Sequence, residues 1–396
     1  MIYLIVFVIL FWFAYIHDIK GIKKNKNTHL LIVLCLLTFL AGFRNLMGSD
    51  TYQYMIFWNL LPLDMPIPEI LQTFRYEYGW TLICLLFKQV FGSFVVFQFF
   101  VAFLLNFSIY KIIKERAQYP FIIMLLYYIT GQRYIFMNFD FMRESLATAV
   151  FLLWGFNHFE RKKYGYYYII CLCCSLIHSS GLLLFGLPLV NIIQTNSLRS
   201  KLFFCVIILS LMFLPVFMID TLVSLLMMLP NKITAKIISN MLASEHLGDP
   251  HFFLAQMYPF LFYLICIISL THIRHRESMY VKYLYYCLII LCFTPIILDA
   301  YRFVGYLFVL VFIPVSEFCV EVLKKRRWLF PGIIGAYIMF VNVFFYRHLF
   351  EKDALFIYYP YISIFEENSK EQNQYMRFRQ NDDTTLDIQI YNKEYL

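Results

Sequence analysis

Charge is scarce in this chain: Asp, Glu, Lys and Arg make up 15% of its 396 residues, where soluble domains carry roughly 25%. That shortage excludes a pair of water-soluble domains of ordinary surface. Cysteine is present, 10 residues in all, but never as a CxxC pair with a second pair at zinc spacing. Neither metal nor disulfides are implied, and the thiols, mostly inside apolar stretches, read as small buried hydrophobes. The chain has no GxxxxGK[ST], no HExxH and no GxSxG, and its glycines form no phosphate loop of the usual kind. No cofactor follows from these patterns. Residues 2–16 lack a basic lead-in and a small-residue cleavage site, so they read as a first span and not as a removable signal. The formal charge of +8 does not point to nucleic acid, because more than half of the 33 Lys and Arg lie in six short gaps that topology explains. A mild attraction to anionic headgroups is enough.

What the chain has is apolar sequence: 61% hydrophobic, 20% aromatic, with a mean hydropathy of +0.67. A span needs roughly 20 apolar residues, and many segments reach or approach that. The gaps between them alternate in chemistry. Those at 17–29, 111–118, 160–163, 194–201, 271–282 and 323–327 are basic and mark the cytoplasmic side. Those at 44–77, 131–141, 220–251 and 299–302, with the tail from 347, mix Arg, Asp, Glu, Tyr and His and fall outside. The expected fold is an all-α polytopic membrane protein with about 12 transmembrane helices, within bounds of about 11 to 14. They lie near 2–16, 29–43, 94–112, 119–131, 143–159, 164–180, 181–194, 201–219, 252–270, 281–298, 303–322 and 328–346. One integral-membrane domain, 1–365, precedes a polar tail, 366–396, whose composition predicts poor order.

Three stretches depart from simple spans. Residues 80–91 are apolar but short and carry Lys88, and a crossing there would break the alternation. They read as a re-entrant or interfacial helix on the outer side, with Lys88 snorkelling to the surface. Residues 164–193 are short for two spans, and His178-Ser179-Ser180-Gly181 turns the chain part-way into the membrane, where irregular backbone needs protein or a wet cavity around it. Residues 220–251 carry apolar positions at helical spacing and predict amphipathic helices on the membrane surface.

The outer gaps hold the polar chemistry. Asp50 or Ser49 can cap a helix starting at Thr51, with Arg44 as the ion-pair partner of Asp50; a carboxylate held beside a cation at a cavity lip is the functional reading. Glu77 suits a first helical turn as well as a site. Arg133, Asp140, Arg143 and Glu144 bracket the start of a span. Arg143 should face protein, paired with Asp140 or aimed at a phosphate. His178 is either a hydrogen-bonded structural residue or a base or phosphate ligand. Asp299 and Arg302 clasp a short turn, or Arg302 is a second phosphate-binding cation. Taken together, two or three Arg with one or two carboxylates on one face can bind a diphosphate and accept a proton from a hydroxyl.

The same residues carry a resemblance. Gly42-Phe43-Arg44, then Gly48-Ser49-Asp50-Thr51 with Tyr52 and Tyr54, then Glu77-Tyr78-Gly79 before an apolar helix, resembles the EpsG family of Wzy-type bacterial polysaccharide polymerases. Arg143 with Leu146-Ala147, His178-Ser179-Ser180, Tyr301-Arg302 and Tyr359-Pro360-Tyr361 continue the likeness in order over residues 1–365. The resemblance implies a multispan glycosyltransferase, GT-C-like in its lipid-facing outer cavity, in the bacterial cytoplasmic membrane with its site facing outward. Its substrate would be an oligosaccharide on undecaprenyl diphosphate, and its partners the bilayer, a flippase and a chain-length regulator. The growing chain passes from its lipid diphosphate to a sugar hydroxyl of the next unit, for O-antigen, capsule or exopolysaccharide. No metal is implied, so Arg44, Arg143 and Arg302, with Arg133 and Tyr52, would hold the diphosphate. Asp50 is the first choice of general base, with Glu77 and His178 behind it.

Other classes fit less well. A ligase that attaches finished chains calls for a long outer loop with paired Arg and His, whereas the longest internal outer gap, 44–77, holds no His. A transporter or flippase calls for inverted repeats and broken helices in matching halves, and none is apparent. An acyltransferase would need a His-based site deeper in the membrane, for which only His178 qualifies. A structural subunit of an envelope assembly leaves the polar set unexplained.

Overall fold

The computed structural model describes residues 2–74, 76–130, 133–191, 279–291, 304–324 and 358–365. Among these the chain is helical throughout, with no strand and a single antiparallel bridge between Arg44 and Ser363. Two compact units emerge: Met1–Phe185 with Ile338–Leu396, and Gly186–Tyr337.

The first unit contains α1 (Ile2–Phe13, continued by a π-helical turn Ala14–Ile19), α2 (Lys26–Gly42), α3 (Thr51–Leu60), α4 (Ile67–Thr73), α5 (Tyr78–Phe91), α6 (Phe94–Arg116) and α7 (Pro120–Ile129). After a π-helical turn, Phe136–Asp140, α8 (Met142–Val150) runs through Phe151–Gly155 into α9 (Phe156–Glu160), and α10 (Tyr164–Ile177) follows. A 3-10 segment, Ser179–Asn191, then begins. In the second unit the helix Phe308–Lys324, entered through a 3-10 turn at Val304–Leu307, packs against the helix Met279–Leu291.

The expected helical class is what the residues form. Among the described residues three helices are long and apolar enough to cross a membrane: Ile2–Ile19, Phe94–Arg116 and Val304–Glu321. The others are shorter for local reasons. Pro120 opens α7, where its missing N–H costs nothing, and the helix ends at Ile129 after 10 residues. That is about 15 Å of rise, half of a hydrocarbon core of about 30 Å. The segment expected at 143–159 is one continuous helical run, Met142–Glu160, with its middle turn π-helical. The spans expected near 201–219, 252–270 and 328–346, and the surface helices at 220–251, lie outside the described residues.

Helix α6 sits centrally, packed between α2 and α8, with α10 against α8 and α5, and α1 against α7. Its buried face is not wholly apolar. Asn106 donates to Asn138 at 2.9 Å, and Asn138 donates to the Tyr127 hydroxyl at 2.7 Å. Gln98 donates to the carbonyls of Gly42 and Arg44 at 2.8 and 3.0 Å. Buried amides of this kind persist only when their partners are supplied, so they fix the height of α6 against the end of α2.

Lys88 has partners within the protein. Its ammonium donates to the carbonyls of Trp58, Asn59 and Leu61 at 2.7, 3.0 and 2.7 Å. Those are carbonyls at the end of α3, which its helix leaves without partners and whose dipole favours a cation. Lys88→Met should therefore loosen α3 by about 1 kcal/mol, lowering the melting temperature in detergent by roughly 2–4 °C. An unchanged melting curve would show that the clamp contributes nothing.

Candidate functional site

The site is built on a buried arginine. Arg44, 1% exposed, lies just beyond α2. Its Nη1 donates to the carbonyl of Ala41, its Nε to Met47 at 3.2 Å, and its Nη2 to the Thr51 hydroxyl at 3.2 Å and the Phe139 carbonyl at 3.3 Å. Thr51 itself donates to the same Phe139 carbonyl at 2.5 Å, and the guanidinium lies 5.2 Å from the Phe139 ring. Burial drives the Arg44 pKa down to about 10, a drop that the Asp140 charge partly offsets, so it remains a cation at neutral pH. The expected Arg44–Asp50 ion pair does not form; carbonyl dipoles take its place, and this arginine holds backbone together instead of facing outward.

The loop between Arg44 and Thr51 is shaped by Gly48. Its φ is +102°, and a Cβ there would meet the Asp140 carboxylate at 2.8 Å as well as the Phe139 carbonyl. Only glycine tolerates both. The close approach brings the Ser49 N–H onto Asp140 Oδ1, and the Tyr358 hydroxyl donates to Oδ2 at 2.7 Å. Burial and then the neighbouring Asp50 charge raise Asp140; the hydrogen bonds from Tyr358 and Ser49 offset part of that and leave it at about 7. Helix α3 starts at Thr51 as expected, but neither Asp50 nor Ser49 caps it by a side chain. Asp50 has helical φ and ψ, unlike the extended backbone of a capping residue. It receives the Ser49 hydroxyl at 3.4 Å.

Beside this loop lies an ion pair that joins three distant parts of the chain. Arg143, in the first turn of α8, meets Glu77 Oε2 at 2.5 Å, not Asp140 as the sequence suggested. Glu77 Oε1 accepts the Ser179 N–H at 3.1 Å, and His178 Nδ1 lies 2.5 Å from the Ser180 hydroxyl. Gly79 makes this meeting possible: a Cβ on it would sit 2.7 Å from the Leu176 carbonyl, so only a bare Cα lets α5 start against the end of α10. Arg143 also donates to Tyr54 at 3.4 Å and stacks 4.5 Å from the Tyr76 ring. Burial alone would raise Glu77; Arg143, His178 and backbone N–H groups outweigh it and hold the carboxyl below its ordinary value of 4.5. The two side chains remain 21% and 19% exposed, enough for a ligand to reach them. Among the described residues nothing accepts from Arg143 Nη2.

The structure thus gathers Arg44, Asp50, Glu77, Arg143 and His178 with Asp140. Tyr52 is half-buried on α3. Arg133, half-buried in the turn after α7, joins no ion pair among the described residues. Arg302 and its expected clasp with Asp299 lie outside the described residues. Sequence reasoning missed Tyr76 and Tyr358 as participants. Tyr76 sits directly before Glu77 and Tyr358 directly before Tyr359-Pro360-Tyr361, which were the available signals; that Tyr358 meets Asp140 only folding reveals.

Long apolar helices around a buried polar set of Arg, carboxylate, Tyr and His define a helical membrane protein. Residues 27–363 match the model of the EpsG family, and the chain belongs to that family, among the polysaccharide-polymerase-like membrane proteins. No curated protein and no solved structure matches it.

Two pH effects follow, of opposite sign. Glu77, lowered in the fold, stabilises it above the ordinary value of 4.5, and that contribution fades as pH falls below it. Asp140, raised, does the reverse: the unfolded chain ionises first, so stability falls as pH climbs from 3.8 to about 7. Melting temperatures of Asp140→Asn measured across pH 5–8 should lack that downward slope; a slope equal to wild type would mean that Asp140 titrates normally.

Proposed function

We propose that the chain is a polysaccharide polymerase working at the outer face of the bacterial cytoplasmic membrane, joining oligosaccharide units carried on undecaprenyl diphosphate. The observation that carries this reading is Arg143: it is anchored on one side by Glu77, partly exposed, and still has donors to give. A planar fork held in this way suits a diphosphate, which offers oxygens in pairs.

The reaction needs three things from the protein. A base accepts the proton from an acceptor-sugar hydroxyl, whose oxygen then bonds to the anomeric carbon of the growing chain. The bond from that carbon to the lipid diphosphate breaks, and the diphosphate leaves with the electron pair. Cations must meet the charge that builds on it. Asp50, beside Arg143's partner Tyr54 on the first turns of α3, remains the base of choice. Glu77 is a weaker candidate, because a carboxylate held low by Arg143 accepts protons poorly; its role is to hold Arg143. Arg302 and Arg133 are further diphosphate contacts, Tyr52 a substrate contact, His178 a partner of the Glu77 pair, and Arg44 the support beneath the Asp50 loop. A flippase and a chain-length regulator are the partners this role requires.

A null strain's surface glycan, run on a sizing gel, tests the reading. The null should show lipid capped with single units, wild type should restore a ladder, and Arg143→Ala should reduce polymerisation by about 10²–10³-fold, the scale of losing a charge-stabilising donor. Accumulation of full-length lipid-linked chains in the null would instead make the protein a ligase or exporter.

A further inference from the structure

Tyr358 belongs to a segment more than 300 residues away from the loop it touches, and the polymerase chemistry above makes no use of it. The segment lies along that loop like a short strand. The Asn45 N–H donates to the Ile362 carbonyl and the Ile364 N–H to the Phe43 carbonyl, both at 2.9 Å, bracketing the Arg44–Ser363 bridge. Ile362 N–H points at the Met47 sulfur at 3.1 Å, and Phe365 packs on Phe43 with ring centroids 5.2 Å apart. The Tyr3 hydroxyl donates to the Tyr358 carbonyl at 2.9 Å, and the Tyr3 and Tyr361 rings meet edge to face. Tyr358 is thereby fixed at both its backbone and its hydroxyl.

We propose that residues 358–365 are a working part of the site, and that Tyr358 is a positioning residue that sets Asp50 through Asp140; this rests on the polymerase reading. The linkage runs from the Tyr358 hydroxyl to Asp140, from Asp140 to the Ser49 N–H, and from the Ser49 hydroxyl to Asp50. The charged and titratable groups around Asp140 are Asp50, Tyr358 and the buried Arg44. A hydroxyl donating to a carboxylate favours its charged form. While Asp140 is charged, Asp50 faces a like charge and is a stronger base. Without the Tyr358 hydroxyl, Asp140 holds its proton, Asp50 loses that neighbouring charge and becomes a weaker base. The diphosphate contacts at Arg143 are untouched.

The test uses the purified full-length protein in nanodiscs and the undecaprenyl-diphosphate-linked unit isolated from a null strain. Tyr358→Phe should keep KM, lower kcat by about tenfold, the size of one hydrogen bond to a charged group, and move the acid limb of the pH–rate profile to lower pH. Asp140→Asn should shift the limb the same way, and the double variant should be no worse than Asp140→Asn alone. Tyr358→Phe with wild-type kcat and limb would overturn the proposal, as would lower activity with an unmoved limb, which is what mere loosening gives. If Tyr358→Phe is lost from the membrane, Asp140→Asn decides by the same limb. A wild-type protein that leaves the lipid-linked unit unextended would instead sink the polymerase reading, and the proposal with it.

Discussion

A buried guanidinium has to be satisfied, and the site depends on how Arg44 achieves that. It has no carboxylate within ion-pair distance among the described residues, so its charge is met by dipoles: three carbonyls and one hydroxyl. These come from the end of α2, the following loop, the first residue of α3 and the turn before α8. Leaving any of them unpaired would expose a buried charge, which is far more costly than losing a neutral hydrogen bond. The guanidinium therefore acts as a rivet through four pieces of backbone, and Asp50, Asp140 and the start of α8 inherit their places from it.

Arg143 shows the opposite solution to the same problem. It has a carboxylate, two aromatic rings and a fifth of its side chain still exposed. One arginine is committed to the scaffold and the other is held ready beside it. The difference lies in their surroundings: Arg44 follows a helix whose Ala41 carbonyl meets it, whereas Arg143 sits in a first helical turn, where backbone offers N–H groups and a cation must look elsewhere for acceptors. The two carboxylates diverge for related reasons. Glu77 is drawn low by cations and amides, Asp140 pushed up by burial and by Asp50.

Much of this was legible in the sequence. Composition and gap chemistry point to the helical class, and the grouping of Arg44, Asp50 and Glu77 with Arg143 at a span entry and His178 at a broken stretch follows from assigning all five to one face. The pairings did not follow. Arg143 and Asp140 are neighbours in sequence, but the Asp140 oxygens are taken by the Ser49 N–H and the Tyr358 hydroxyl, and Gly79 lets Glu77 come in from 66 positions upstream. Lys88 looked like a snorkelling side chain because its partners are main-chain carbonyls, which no residue pattern announces. The end of α7 was legible: apolar sequence stops before Thr130-Gly131, and the helix Pro120–Ile129 keeps within the stretch expected at 119–131.

The pairing of residues 358–365 with residues 43–45 bears on how the protein is made. Helices inserted early can take their places as they leave the ribosome, but the loop after α2 has no partner for its Phe43 carbonyl or Asn45 N–H until the far end of the chain has been synthesised. At about 5–20 residues per second, those partners arrive roughly a quarter of a minute to a minute after the loop itself. In that interval the Phe43 carbonyl and the Asn45 N–H lack these two partners, and a chain cut short by nonsense or proteolysis would never gain them. The pairing beside Arg44 is in this way completed only after nearly all of the family-matched region, residues 27–363, has been made.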